Sequence, residues 1–235
     1  MLGYYNYTVI LTYMSLASSV FGMTMAVSGR YKTAVFCLAL SGLLDMFDGK
    51  VARSKKDRTE DEKNFGIQLD SLCDVVCFGA FPALICYLLG VRGLLGLSII
   101  IFYCINSVIR LAYFNVLEGK RQQNEGGAAK YYHGLPITSM AMVLPMAFMT
   151  QFFISKHAFI ILLHVVLFLV GLLFVVDFKL KKPNNATIAI LVGIVTVMVI
   201  ITFFWVQFRI PKQSDPGWLN RFFETVVEES DSSGE

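Results

Sequence analysis

Two pairs of aspartates stand within thirty residues of this chain, Asp45 with Asp48 and Asp70 with Asp74, in the stretch DMFDGKVARSKKDRTEDEKNFGIQLDSLCD. On a helix, residues spaced i, i+3 and i, i+4 share a face, so each pair presents its carboxylates together. Two such faces turned toward one another make an oxygen-rich cage suited to hard divalent cations. The neighbours are small. Asp45, Asp48, Gly49 and Ala52 fall on one helical face, and Gly66, Asp70, Asp74 and Cys77 repeat the small-and-acidic pattern on the other. Residues with almost no side chain leave room for a bulky ligand to approach the backbone, and Arg53 adds a planar fork that fits phosphate. The chemistry this favours is an in-line displacement at phosphorus, with two cations neutralising a diphosphate.

The carboxylates sit at the ends of long apolar runs. An acid at the centre of a membrane helix costs about 2.5–3.5 kcal/mol on insertion scales, so four of them require compensation. The 235 residues are 56% hydrophobic and 16% charged, with mean hydropathy +0.62. A soluble domain carries about 25% charged residues, which leaves an integral membrane protein. Apolar runs of about twenty residues favour an all-α polytopic helical bundle over a barrel. Seven transmembrane helices are expected, near 8–28, 33–53, 66–89, 93–117, 134–154, 157–176 and 187–207. The first six lie within residues 1–180. An additional C-terminal helix occupies 181–210, and the tail, 211–235, combines an amphipathic piece with an acidic end.

Lysine and arginine set the orientation. Loops after the second, fourth and sixth spans hold eleven (Arg53, Lys55, Lys56, Arg58, Lys63; Lys120, Arg121, Lys130; Lys179, Lys181, Lys182), against four (Arg30, Lys32, Arg92, Lys156) after the first, third and fifth. The first set is therefore cytoplasmic, and the four aspartates share that side. A multi-pass protein of the cell membrane, its site facing the cytoplasm, is expected. A net charge of +3 gives no argument for a nucleic-acid partner. The five cysteines all lie in apolar runs and read as packing residues, with no disulfide or zinc pattern. No cleavable signal peptide is expected.

Asp45-x-x-Asp48-Gly49-x-x-Ala52-Arg53 followed by Gly66-x-x-x-Asp70-x-x-x-Asp74 resembles the signature of the CDP-alcohol phosphatidyltransferases, membrane enzymes that transfer a phosphatidyl or related group from a CDP-linked donor to an alcohol, releasing CMP. Twelve residues separate Arg53 from Gly66, a longer spacer than the family usually has, and its hydrophilic composition reads as a longer cytoplasmic loop. LDSLCDVVCFGAFPAL, IRLAYFNV at 109–116 and YHGLPIT at 132–138 are similar to segments of CDP-diacylglycerol–serine O-phosphatidyltransferases. Cys73, Phe81 and Tyr113 depart from the residues commoner there.

The resemblance implies two Mg²⁺ or Mn²⁺ ions held by Asp45, Asp48, Asp70 and Asp74, with Asp74 also receiving the acceptor's proton. It implies a CDP pocket lined by Asp48, Gly49, Ala52, Arg53 and Gly66, with CDP-diacylglycerol and L-serine as substrates, membrane lipids around the chain, and a homodimer. Serine's carboxylate calls for a cation. Arg110, inside the fourth span, is expensive there unless it meets an anion, and Asn115 could add a hydrogen bond. Other acceptors (glycerol 3-phosphate, inositol phosphate) and an archaeal-type lipid donor stay open, and so does a divalent-cation transporter, which would not need Gly49, Ala52 and Arg53 beside the acids.

Overall fold

The computed structural model describes residues 7–55, 57, 59–123 and 131–181, with isolated positions 3, 193 and 197; the side chains of residues 8, 50, 52–54, 121–123, 131–133 and 179–181 are not described. Apart from 193 and 197, the seventh expected span and the whole tail lie outside the described residues.

The chain is an all-α polytopic membrane protein. Its helices are α1 (Ile10–Val27), α2 (Tyr31–Ser54), α3 (Glu60–Asp74), a π-helical segment (Val75–Ala80), α4 (Phe81–Leu89), α5 (Gly93–Gln123), α6 (Met140–Met149) and α7 (Lys156–Val175). Among the described residues, four stretches are long and apolar enough to cross a membrane: Ile10–Val27, Glu60–Leu89, Gly93–Lys120 and Lys156–Val175. α2 has 24 residues, enough to span a bilayer core at 1.5 Å per residue, and bears Asp45 and Asp48 near its end. The fifth expected span is shorter, Ile137–Phe152, with 3₁₀ turns flanking α6 and Pro145 inside it. Two three-residue strands, β1 (Tyr131–His133) and β2 (Lys179–Lys181), pair antiparallel, β2 following the end of α7.

Close packing holds the helices. α1 buries the stripe Thr12, Ser15, Ser19, Gly22 and Ala26 against its neighbours. A Cβ at Gly22 would lie 2.7 Å from the Cys37 Cβ and collide with the Phe81 ring, so glycine there lets α1 reach α2 and α4 together. Small residues also meet where Gly42 of α2 abuts Ala141 of α6.

The spacer before α3 is not all loop. Helix begins at Glu60, because Thr59 and Glu62 form a reciprocal capping box: the Glu62 N–H donates to Thr59 Oγ1 at 3.2 Å and the Thr59 N–H donates to Glu62 Oε2 at 3.2 Å. Glu60, Asp61 and Glu62 occupy the first turn, where the helix dipole favours acids. Lys55 Nζ pairs with Glu62 Oε1 at 3.2 Å and ties the end of α2 to this cap.

The π segment has a local cause. Pro82 has no N–H for the Phe78 carbonyl, its i−4 partner, and its ring crowds that carbonyl. The chain takes a wider turn there, and the buried Tyr103 hydroxyl of α5 donates to the Phe78 carbonyl in place of the missing N–H.

Candidate active site

α2 and α3 run in opposite directions from the Lys55–Thr59 connection and bring the two aspartate pairs face to face. The Asp45 carboxyl meets that of Asp74, and Asp48 meets Asp70. Carboxylate oxygens of Asp45, Asp70 and Asp74 all lie within 4.8 Å of one another. Asp74 is buried, Asp45 and Asp70 are half-buried, and Asp70 Oδ1 is a buried oxygen without a hydrogen-bond partner. Like charges this close, with one buried oxygen unsatisfied, fit a divalent cation, whose preferred ligands are carboxylate oxygens.

Asp48 is buried, as Asp74 is, and Thr12 Oγ1 of α1 donates to its Oδ2 at 3.1 Å, which fixes that oxygen on the α1 side. One turn before Asp45, Ser41 joins a buried hydroxyl cluster: its Oγ lies 2.7 Å from Ser15 Oγ and accepts from Ser19 Oγ at 2.9 Å. Cys77, one turn after Asp74, touches the same cluster, 3.9 Å from Ser15 Oγ. α1 thus braces both carboxylate helices. Its hydroxyls at i, i+3 and i+7 were the available signal in the sequence.

α5 lines the other side of α3. Ser71 Oγ donates to Asn115 Oδ1 at 2.7 Å, one residue from Asp70. Further along, Gly79 approaches Ser107 so closely that a Cβ would stand 2.8 Å from its Oγ. These two contacts set an antiparallel register in which Arg110 lies opposite Val76, two residues or about 3 Å beyond the depth of Asp74. Asn115 is therefore beside the carboxylates, whereas Arg110 lies deeper and turns elsewhere. Arg110 is 6% exposed, and its Nε donates to the Leu135 carbonyl at 2.9 Å. Among the described residues no ion pair joins Arg110 to the four aspartates.

The chain around Leu135 is stitched to the end of α7 by Gly134 N–H to Phe178 O at 2.9 Å and Leu135 N–H to Leu173 O at 3.2 Å. Gly134 has φ +74, and a Cβ there would meet the Val176 carbonyl at 3.1 Å, so the crossing requires glycine. α5 and α7 keep a steady offset where Phe102 stacks on Phe168 at 5.4 Å and Gly171 meets the Tyr103 backbone. That offset leaves a cavity of about 290 Å³ between Ile109, Arg110 and Tyr113 of α5 and residues 174–177, ending at Asp177.

Of the residues expected to hold CDP, Asp48 and Gly49 lie together near the end of α2 and Gly66 lies in α3. Ala52 and Arg53 continue α2, but their side chains lie outside those described.

Residues 5–177 match the sequence profile of the CDP-alcohol phosphatidyltransferase family. The chain is 36% identical over 117 residues to the CDP-diacylglycerol–serine O-phosphatidyltransferase of Saccharomyces cerevisiae, covering 49% of this chain and 41% of the yeast protein. It is 32% identical to the archaetidylserine synthase of Methanothermobacter thermautotrophicus, covering 66% and 63% of the two chains. A protein of Methanocaldococcus jannaschii, named CDP-diacylglycerol–serine O-phosphatidyltransferase, is 34% identical over 64% and 65%. The chain thus spans between about two fifths and just under two thirds of the length of these relatives. No solved structure matches it.

Proposed function

The chain belongs to the CDP-alcohol phosphatidyltransferase family, and from that premise we propose that it transfers the phosphatidyl group of CDP-diacylglycerol to the hydroxyl of L-serine, giving phosphatidylserine and CMP at the cytoplasmic face of the cell membrane. The observation that carries this reading is the convergence of Asp45, Asp70 and Asp74 within 4.8 Å, with Asp48 meeting Asp70 beside them. The relatives named for serine support the acceptor.

Asp45, Asp48, Asp70 and Asp74 would hold two divalent cations, Mg²⁺ or Mn²⁺, which supply charge neutralisation for a diphosphate and for the departing CMP. Asp74 is buried where α3 passes into the π segment, and it accepts the proton of the acceptor hydroxyl. The hydroxyl oxygen forms a bond to the phosphorus that carries diacylglycerol. The bond from that phosphorus to the bridging oxygen breaks, and CMP leaves with the electron pair. Gly49, Ala52, Arg53 and Gly66 form the CDP pocket, where small residues leave the nucleotide room and Arg53 meets phosphate. Asn115, hydrogen-bonded to Ser71, lines the acceptor side beside Asp70. Arg110 pairs with the serine carboxylate, since a buried guanidinium about 3 Å deeper than Asp74 needs an anion.

The experiment is CMP release by purified protein given CDP-diacylglycerol, Mg²⁺ or Mn²⁺, and each candidate alcohol in turn. Serine-dependent release with phosphatidylserine as product is expected. Release that ignores serine, or depends on glycerol 3-phosphate or inositol phosphate instead, would overturn the acceptor. The archaetidylserine synthase relative favours one second reading, the same transfer from a CDP-linked ether lipid. Exchanging the donor in the same assay separates the two.

A further inference from the structure

The hydroxyl protons of the cluster beneath the carboxylates all find acceptors. Ser19 Oγ donates to Ser41 Oγ at 2.9 Å, which leaves the Ser41 proton for Ser15 Oγ, 2.7 Å away, and the Ser15 proton for the Ser41 carbonyl at 3.1 Å. Ser15 Oγ also lies 3.9 Å from Cys77 Sγ. All four side chains are buried. We propose that Ser15 is a positioning residue that sets the separation of Asp45 and Asp74, and with it the preference of the carboxylate cage for a small, geometrically demanding cation. The inference rests on the divalent-cation reading above and adds to it the residue that fixes the width of the cage.

Ser15 touches both carboxylate-bearing rods close to the acids. Ser41 precedes Asp45 by four residues, so in α2 its carbonyl is the acceptor for the Asp45 N–H, and Ser15 donates to that same oxygen. Cys77 follows Asp74 by three residues, within the π segment. One α1 side chain therefore joins the two helices about a turn from the point where the Asp45 and Asp74 carboxyls meet. Thr12 grips Asp48 directly; Ser15 acts on the other couple through the backbone. Force is needed there, because ionised carboxylates this close push α2 and α3 apart. The hydroxyl chain resists that push, since opening it would leave buried donors and acceptors unpaired. Cage width in turn decides which cation fits. Mg²⁺ demands near-octahedral oxygens at about 2.0–2.1 Å, whereas Ca²⁺ accepts looser shells at about 2.3–2.6 Å.

The test uses the full-length protein in detergent, freed of metal by chelation and without substrate, its melting temperature titrated with Mg²⁺ and in parallel with Ca²⁺. Ser15→Ala is expected to raise the Mg²⁺ concentration for half of the maximal stabilisation about tenfold or more, while the Ca²⁺ midpoint moves by less than about threefold. Ser41→Ala removes the same link from the α2 side and carries the same expectation, so it decides the matter if Ser15→Ala does not fold. Ser18→Ala is the control for a merely structural bond: it deletes a hydroxyl that donates to the Cys37 carbonyl at 3.0 Å, about two turns of α2 from Asp45. It should lower the metal-free melting temperature and leave both midpoints in place. An unchanged Mg²⁺ midpoint in the decisive variant, equal weakening for both cations, or the same selective loss in Ser18→Ala overturns the role of Ser15 while the cation reading stands. Wild-type protein that shows no saturable stabilisation by Mg²⁺ overturns the cation reading and this inference together.

Discussion

Thr12 Oγ1 donates a hydrogen bond to Asp48 Oδ2 at 3.1 Å, from α1 to α2 across the buried side of the carboxylate cluster. It leaves the other Asp48 oxygen for the site and holds the carboxylate in one rotamer. A hydrogen bond to a charged group contributes about 1.5–3 kcal/mol. Thr12→Val should therefore raise the concentration of Mg²⁺ or Mn²⁺ needed for half-maximal CMP release about tenfold, and Thr12→Ser should restore it. A purely structural role would lower the yield of folded protein without moving that metal dependence.

Asp74→Asn should lower serine-dependent CMP release by about 10²–10⁴-fold, the range typical of a lost proton acceptor. The protein should still elute from size-exclusion chromatography as the wild type does. Substantial retained turnover would remove Asp74 from the role assigned to it.

Chelation should abolish CMP release, and either cation should restore it. A more specific expectation follows from crowding: carboxylate oxygens within 4.8 Å of one another repel by about 3 kcal/mol at an effective dielectric constant of 20. Asp45→Asn should accordingly raise the melting temperature of chelated protein, while shrinking the further rise that Mg²⁺ or Mn²⁺ produces in the wild type. Thermal unfolding with and without cation measures both.

Tyr103→Phe should destabilise the protein by about 1–3 kcal/mol, because the Phe78 carbonyl, already deprived of an N–H by Pro82, loses the hydroxyl that donates to it. Gly79→Ala should act similarly by pushing α5 away at Ser107. Melting temperatures report both effects, and a Pro82→Ala background should soften the first.

The carboxylate site was legible in the sequence because two acidic pairs at helical spacing can hardly serve a membrane helix except by facing each other, and the structure brings them face to face. Hydropathy also anticipated the four described stretches that are long and apolar enough to cross a membrane. Thr12 was not legible, since one hydroxyl in an apolar run looks the same whether it packs or binds. Glu60–Phe65 read as loop because composition registers charge, whereas the Thr59–Glu62 box acts through geometry. Asp177 lies 67 residues from Arg110 in sequence, and only the packing of α5 on α7 makes them neighbours.

The widened turn at Val75–Ala80 has a consequence for how the third membrane crossing tolerates change. One surplus residue rotates everything beyond it by about 100° relative to an uninterrupted α-helix. The crossing therefore behaves as two rods joined out of phase, one aiming acids at α2 and the other aiming Phe81 at Gly22. A single-residue deletion in this segment would be a slip of phase: either the acids or the aromatic anchor would point correctly, and never both.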